Sequence, residues 1–65
     1  YPTFADARAA LTALYWSKGE SGKAESNWIA VIELDPRYND EEWLKKIRRW
    51  PPKPIKNLMN FIDLK

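Results

Sequence analysis

Apolar residues recur at three- and four-residue intervals along nearly the whole chain, which is the period of an amphipathic α-helix. In the first segment the recurring positions are Phe4, Ala7, Leu11, Leu14 and Tyr15. Thr3 is a residue type favoured at helix N-caps, and Gly19 is favoured at the left-handed position that ends a helix. The pattern predicts a first helix over about Phe4–Lys18.

A second segment repeats this pattern after a short turn. Its apolar positions are Ala24, Trp28, Val31 and Ile32. Ser21 is the candidate N-cap, because its hydroxyl can accept a hydrogen bond from the first helical turn. Pro36 predicts the end of this second helix, because the residue before a proline avoids helical geometry.

The last third of the chain predicts two more helices. The third opens at Asn39, has Glu42 at the capping-box position, and pairs Tyr38 with Trp43 as a hydrophobic staple. Its apolar stripe is Trp43, Leu44, Ile47 and Trp50. Prolines at positions 51, 52 and 54 interrupt the helix, and the apolar positions that follow them are Ile55, Leu58, Met59 and Ile62. The predicted fold is therefore all-α, with two αα-hairpins and no strand.

The composition narrows the functional classes. The 65 residues include no Cys and no His, which excludes Cys/His zinc sites, thiol chemistry and imidazole catalysis. The remaining carboxylates, lysines and tyrosines show no catalytic arrangement, so we expect neither an enzyme nor a cofactor or metal. No apolar run approaches the about 20 residues of a membrane span, so we expect a soluble chain.

Residues about 5–38 resemble a tetratricopeptide (TPR) repeat, a helix–turn–helix unit of about 34 residues. The residues that carry the resemblance are Leu11, Tyr15, Gly19, Ala24, Trp28 and the run from Val31 to Pro36. Three residues depart from the family pattern. Arg8 stands in place of an aromatic residue, Thr12 in place of a small residue and Val31 in place of an alanine.

The segment from Ile47 to Pro52 resembles the closing segment that follows the last repeat in TPR proteins of cyanobacteria and plastids. The resemblance implies a fragment of a right-handed α-solenoid, with a TPR-like hairpin over residues 1–38 and a capping hairpin over residues 39–65. Residues 1–65 would then be one small domain or the C-terminal part of a longer array. It also implies a cyanobacterial or plastid origin.

By this resemblance, the first helix presents one face to the groove in which TPR proteins bind their ligands. The groove-facing residues would be Asp6, Ala9, Ala10, Ala13 and Trp16. The implied function is a protein–protein interaction module that binds a peptide or protein surface along this helix. The family's mode of binding a C-terminal carboxylate is not implied, because alanines and an acid stand where Asn and Lys or Arg are needed.

A second function remains open from the sequence: a structural terminator of a solenoid, or a segment that self-associates without a peptide ligand. The first helix has no repeat before it, so the face that bears Phe4, Arg8, Leu11 and Tyr15 is expected to be partly uncovered. A homo-oligomer formed through this open face is the corresponding partner expectation. Arg8 opposes it, since a charge discourages stacking.

Basic residues concentrate in the second half of the chain, and the net charge is +2. The candidate basic patch consists of Lys45, Lys46, Arg48, Arg49 and Lys53. We interpret these residues as a solvated helix end that matches the helix dipole, with Asp40, Glu41 and Glu42 at the opposite end. The alternatives are a docking patch for an acidic protein and, more weakly, binding of nucleic acid or an anionic membrane.

The four tryptophans raise the possibility of a ligand cage, but each has a structural interpretation. Trp28 and Trp43 lie on apolar stripes, and Trp50 is expected to stack on the prolines that follow it. Trp16 lies one position off the stripe of the first helix, on the groove side. It either packs within the domain or contacts a partner.

Overall fold

A computed structural model of the chain describes the backbone of residues 2–64 and the side chains of residues 4–64. The helices are α1 (Pro2–Ser17), α2 (Ser21–Leu34), a 3₁₀ helix (Pro36–Asn39), α3 (Glu41–Lys46) and α4 (Pro52–Leu64). The described residues contain no strand. The all-α prediction is therefore confirmed.

The turn between α1 and α2 is a Schellman motif. Gly19 takes a φ of +79°, which glycine adopts without steric cost. The Glu20 N–H donates to the Tyr15 carbonyl at 2.9 Å, and the Gly19 N–H donates to the Trp16 carbonyl at 3.0 Å. These two bonds satisfy carbonyls that the end of α1 would leave without partners. The prediction that Gly19 ends the first helix is confirmed.

Two of the predicted helix starts are wrong. α1 begins at Pro2, so Thr3 lies in the first turn of the helix instead of capping it. The side chain of Thr3 lies outside the described part of the structure. α2 begins at Ser21 itself, and Glu20 holds the N-cap position without a side-chain hydrogen bond. The Glu20 carbonyl already accepts from the Ala24 N–H at 3.0 Å, which moves the start of the helix one residue earlier.

α3 is shorter than the sequence predicts. Its N-cap is Asp40 rather than Asn39, because the Asp40 carboxylate accepts hydrogen bonds from the backbone N–H groups of Glu42 and Trp43 at 3.0 and 3.3 Å. The helix ends at Lys46, so the predicted stripe does not continue through Trp50. The predicted contact between Tyr38 and Trp43 does form, with ring centroids 4.8 Å apart in an edge-to-face arrangement.

The core lies along the side of α1 that faces both α2 and α4. α1 contributes Ala5, Ala9, Thr12 and Ala13, α2 contributes Ala24, Asn27, Trp28 and Val31, and α4 contributes Ile55, Leu58 and Phe61. Small side chains on α1 allow two helices to approach it closely. Trp28 is 4% exposed, which confirms its assignment to the core, whereas Ile32 is 40% exposed and was wrongly placed on the buried stripe.

α4 packs chiefly against α1 rather than against α3. Its Phe61 ring contacts Trp16 of α1 and Trp28 of α2 edge to face, with centroid distances of 5.6 and 6.1 Å. The sequence pattern predicted Ile55, Leu58, Met59 and Ile62 as the apolar stripe of the fourth helix and did not include Phe61. The second half of the chain therefore folds back over the first half.

Of the departures from the TPR pattern, Arg8 forms a polar contact between α1 and α2, and Thr12 forms a hydrogen bond within α1. The Arg8 guanidinium donates to the Asn27 side-chain oxygen at 3.1 Å, and the Asn27 amide donates to the Lys23 carbonyl at 2.9 Å. The buried Thr12 hydroxyl donates to the Arg8 carbonyl at 2.9 Å. These bonds satisfy the two buried polar side chains, Thr12 and Asn27, at the helix interface.

We expect the substitution Trp28→Ala to lower the free energy of unfolding by about 3–5 kcal/mol, because it removes a buried indole and leaves a cavity beside Phe61. Urea denaturation followed by circular dichroism measures this change. The matched control on the same helix is Ile32→Ala, which should cost less than about 1 kcal/mol. Equal losses in the two variants would contradict the core assignment.

Candidate functional site and interaction surfaces

One carboxylate oxygen joins three segments of the chain. Oδ1 of Asp6, on α1, accepts hydrogen bonds from the Tyr38 hydroxyl at 3.0 Å, the Arg48 Nε at 3.1 Å and the Trp50 Nε1 at 2.9 Å. We call these four residues the Asp6 cluster. Asp6 and Arg48 form an ion pair whose side chains are each about one-third exposed. The cluster ties the 3₁₀ helix and the segment after α3 to α1.

The 3₁₀ helix places Tyr38 at this site. Its N-cap is Asp35, which accepts hydrogen bonds from the Arg37 backbone and guanidinium. The hydrogen bond from Arg37 lowers the pKa of Asp35 to about 2. The Tyr38 ring is buried, and this burial, followed by the hydrogen bond to Asp6, raises the pKa of its phenol to about 12. Tyr38 therefore remains a neutral donor.

The backbone after α3 brings Arg48 and Trp50 to the same acceptor. Arg49, between them, has a φ of +57°, a left-handed conformation that is uncommon for a residue with a Cβ. The backbone N–H of Trp50 donates to the Leu44 carbonyl at 3.0 Å, and the backbone N–H of Arg48 donates to the Trp43 carbonyl at 3.2 Å. The hydrogen bond to Asp6 raises the pKa of Arg48. The strained residue is thus held by bonds on both sides.

The predicted groove face of α1 is divided in the structure. Ala9 and Ala13 are 0% and 2% exposed in the core that α1 forms with α4, so the prediction that they face an open groove is wrong. Trp16 is half-buried against Phe61 of α4. Asp6 is engaged within the chain, and Ala10 alone among these five residues is exposed. The reason is that α4 occupies this side of α1.

The predicted basic patch is also divided. Lys46 pairs with Glu42 at 3.2 Å, and Arg48 pairs with Asp6. Lys53 lines a shallow pocket of about 310 Å³ with Ala10, Leu14 and other residues of α1 and α4. Arg48 and Arg49 follow α3 instead of lying in its last turn. The interpretation of Arg48 as part of a solvated helix end is therefore wrong.

A pocket of about 380 Å³ lies between α3 and α4, and we call it the α3–α4 pocket. Its apolar lining is formed by Trp50, Pro52, Ile55 and Met59. Its polar lining is formed by Glu41 and Lys45 of α3 and by Lys56 and Asn60 of α4. Lys45 is the one residue of the predicted basic patch that lines this pocket.

The side of α1 away from α4 remains exposed. The residues Phe4, Arg8, Leu11 and Tyr15 follow one another at four- and three-residue steps and form what we call the outer stripe. Phe4 is 61% exposed and Leu11 is 37% exposed. The expectation that this face is partly uncovered is confirmed.

Sequence reasoning did not find the partners of Asp6. Tyr38 and Trp50 were assigned hydrophobic roles, yet each also donates a hydrogen bond to the carboxylate. A phenol and an indole N–H usually have a hydrogen-bond partner when buried, and this was the available signal. The identity of that partner could not be read from the sequence, because Asp6 is more than 30 positions away from both.

Neither a metal site nor a membrane-spanning helix is found among the described residues. Asp40, Glu41 and Glu42 are adjacent in sequence, but the part of the chain that the structure describes contains no group of three or more carboxylates that could hold a metal ion. Within the same residues, no helix combines the length and apolar character that crossing a bilayer requires.

Charge reversal at Arg48 and at Arg49, made in separate variants, should show that the Asp6 cluster contributes to stability and that the adjacent exposed surface does not. Arg48→Glu removes a hydrogen-bond donor from Asp6 and places a second carboxylate beside it. We expect the free energy of unfolding to fall by about 1–2 kcal/mol, and not by more, because both side chains are partly solvated. Arg49→Glu, one residue away and exposed, should leave stability nearly unchanged. Thermal denaturation of both variants tests this contrast, and similar melting temperatures would contradict it.

Stability should fall as the pH rises from about 10 to about 12. A free tyrosine loses its proton near pH 10, whereas Tyr38 in the folded chain keeps it to about pH 12, so deprotonation favours unfolding in this window. The ionisation of this one group should lower the free energy of unfolding by about 2–3 kcal/mol. Urea denaturation at several pH values should show a shallower fall in Tyr38→Phe than in the control Tyr15→Phe. Parallel curves for the two variants would be incompatible with this role of Tyr38.

Comparison of the chain with protein-family models, with curated proteins and with solved structures finds no match. The resemblance to a TPR repeat therefore depends on the residues quoted from positions 5–38. The functional inference is drawn from two surfaces that the folded chain leaves open, the outer stripe and the α3–α4 pocket.

Proposed function

We propose that the chain is a protein–protein interaction module that binds an amphipathic helix of another protein along the outer stripe of α1. The observation that carries this proposal is the exposure of Phe4 and Leu11 on a helix whose other side is packed against the core. Exposed apolar residues at helical spacing on one face are typical of a surface that receives another helix.

The shape of this surface suits a helix. The 16 residues of α1 extend over about 24 Å, so the outer stripe spans several helical turns. The stripe borders α2, because Arg8 is bonded to Asn27 and the Tyr15 ring lies 5.5 Å from the Lys23 ammonium. An added helix would therefore contact α1 beside α2, in the ridge-and-groove manner of packed helices.

The charges around the outer stripe favour an acidic partner. Arg8 lies on this face and Lys23 lies beside it, over the Tyr15 ring, and Glu20 pairs with Lys23 at 3.2 Å. Asp6 is the one carboxylate of α1, and it is bonded in the cluster on another side of the helix. A partner with acidic flanks would be attracted, whereas a second copy would bring bases against bases.

The TPR resemblance supports the same surface. In repeat proteins each hairpin packs against its neighbours, and a terminal repeat requires a cap. The packing of α4 on α1 favours a second candidate function, which is the structural end cap of a helical array. In that case the outer stripe would receive the neighbouring hairpin of the array. Both functions use helix packing on α1 and neither uses catalysis.

A designed peptide of three heptads tests this proposal. With Leu at the a and d positions and Glu at e and g, the fluorescein-labelled peptide should bind the chain in fluorescence anisotropy, and salt should weaken the binding. A peptide with Lys in place of Glu should bind about tenfold more weakly or not at all. Leu11→Asp should abolish binding, whereas Leu64→Asp, a matched change on α4, should not.

Equal binding of the acidic peptide by Leu11→Asp and by the parent chain would contradict the proposal, provided that both show the same helical circular dichroism. Light scattering from micromolar to millimolar concentration tests the alternative of self-association. A mass that rises with concentration, and that Leu11→Asp returns to the monomer value, would identify a second copy as the occupant of the outer stripe.

A further inference from the structure

The α3–α4 pocket has an apolar wall and a polar lining that includes two lysines and one glutamate. The apolar wall consists of Trp50, Ile55 and Met59, together with Pro52 at the start of α4. Lys45 and Glu41 line the pocket from α3, and Lys56 and Asn60 line it from α4.

The lysines of this pocket are available to a ligand. Lys46 and Arg48 are paired with Glu42 and Asp6, respectively. Among the residues that the structure describes, neither Lys45 nor Lys56 is within ion-pair distance of a carboxylate. Both side chains are exposed at the rim of the pocket. Two lysines and one glutamate leave the lining with a net positive charge, which favours an anionic group beside the apolar wall.

The pocket is held in shape by the Asp6 cluster. The Trp50 indole donates to Asp6 at 2.9 Å and is half-buried, so the face that lines the pocket is fixed before any ligand arrives. A wall that is already ordered reduces the conformational entropy lost on binding. Met59, by contrast, has a flexible side chain that can adapt to the shape of an inserted group.

We propose that the α3–α4 pocket binds a short acidic segment of a partner protein, which inserts one large apolar side chain against Trp50 and Met59 and places a carboxylate between Lys45 and Lys56. The volume of about 380 Å³ is near the lower end of the range for small-ligand sites, which suits a single anchoring side chain. An apolar anchor surrounded by charged rim contacts is the usual anatomy of a peptide-binding hot spot.

This site is separate from the outer stripe. It is formed by α3, α4 and the segment between them, whereas the outer stripe belongs to α1 and borders α2. The two proposals therefore require different substitutions to abolish binding. Loss of one site leaves the other available.

The test uses the fluorescein-labelled peptide Gly-Asp-Glu-Phe-Glu-Asp-Gly and the 65-residue chain. We expect saturable binding by fluorescence anisotropy, and we expect one of the four indole N–H signals in a ¹H–¹⁵N NMR spectrum to shift strongly. That signal should be absent from Trp50→Phe. Replacement of the Phe of the peptide by Ser should weaken binding about tenfold, since the apolar anchor is lost.

Matched variants of the chain separate this site from general charge attraction. The double substitution Lys45→Glu with Lys56→Glu should weaken binding at least about tenfold, whereas Lys46→Glu with Lys53→Glu, which makes the same change in net charge outside the pocket, should have a much smaller effect. Met59→Ala should weaken binding of the Phe peptide but not that of the Ser peptide. All variants should retain the helical circular dichroism of the parent chain.

Three outcomes would overturn the proposal. The first is equal weakening by the two double variants, and the second is equal affinity for the Phe and Ser peptides. The third is binding to phosphatidylglycerol vesicles or duplex DNA that depends on Lys45 and Lys56 when the peptide does not bind. Leu11→Asp should leave peptide binding intact, so failure at the outer stripe and failure at this pocket give different results.

Discussion

The carboxylate of Asp6 is the contact on which the arrangement of the chain depends. Its three donors, Tyr38, Arg48 and Trp50, lie 32, 42 and 44 positions farther along the chain. A contact across such separations must offset the entropy of closing long loops, and it does so with two uncharged donors and one charged donor at a single acceptor. Without Asp6, the buried Tyr38 hydroxyl would lose its acceptor. The segment after α3, which has no helix of its own, would lose its attachment to α1.

A second constraint is the alanine-rich face of α1. Ala5, Ala9 and Ala13 are small enough for α2 and α4 to pack on one helix. α4 covers the side on which a ligand groove was expected. The large apolar side chains of α1, such as Leu11 and Leu14, therefore lie outside the core. The same packing that stabilises the domain also creates the surface assigned here to a partner helix.

The basic stretch shows how folding changes the meaning of a charge pattern. In sequence it is one run, but the fold gives its members different environments. Arg48 neutralises Asp6, Lys46 pairs with Glu42, and Lys45 lines the α3–α4 pocket. An extended anion-binding surface would require these charges to act together. Their separation favours recognition of one short acidic segment instead.

The sequence by itself determined the helices and where the first two of them end. The three- and four-residue period, Gly19 with its positive φ, and Pro36 after α2 all act through neighbours within one or two turns, so local reasoning finds them. It also placed Trp28 in the core, because the spacing from Ala24 sets its face. Only the tertiary structure decided which side of α1 is covered, where α3 ends and what Asp6 binds. The packing of α4 on α1 and the hydrogen bonds to Asp6 join residues more than 30 positions apart, and the periodicity of a single helix carries no information about such contacts.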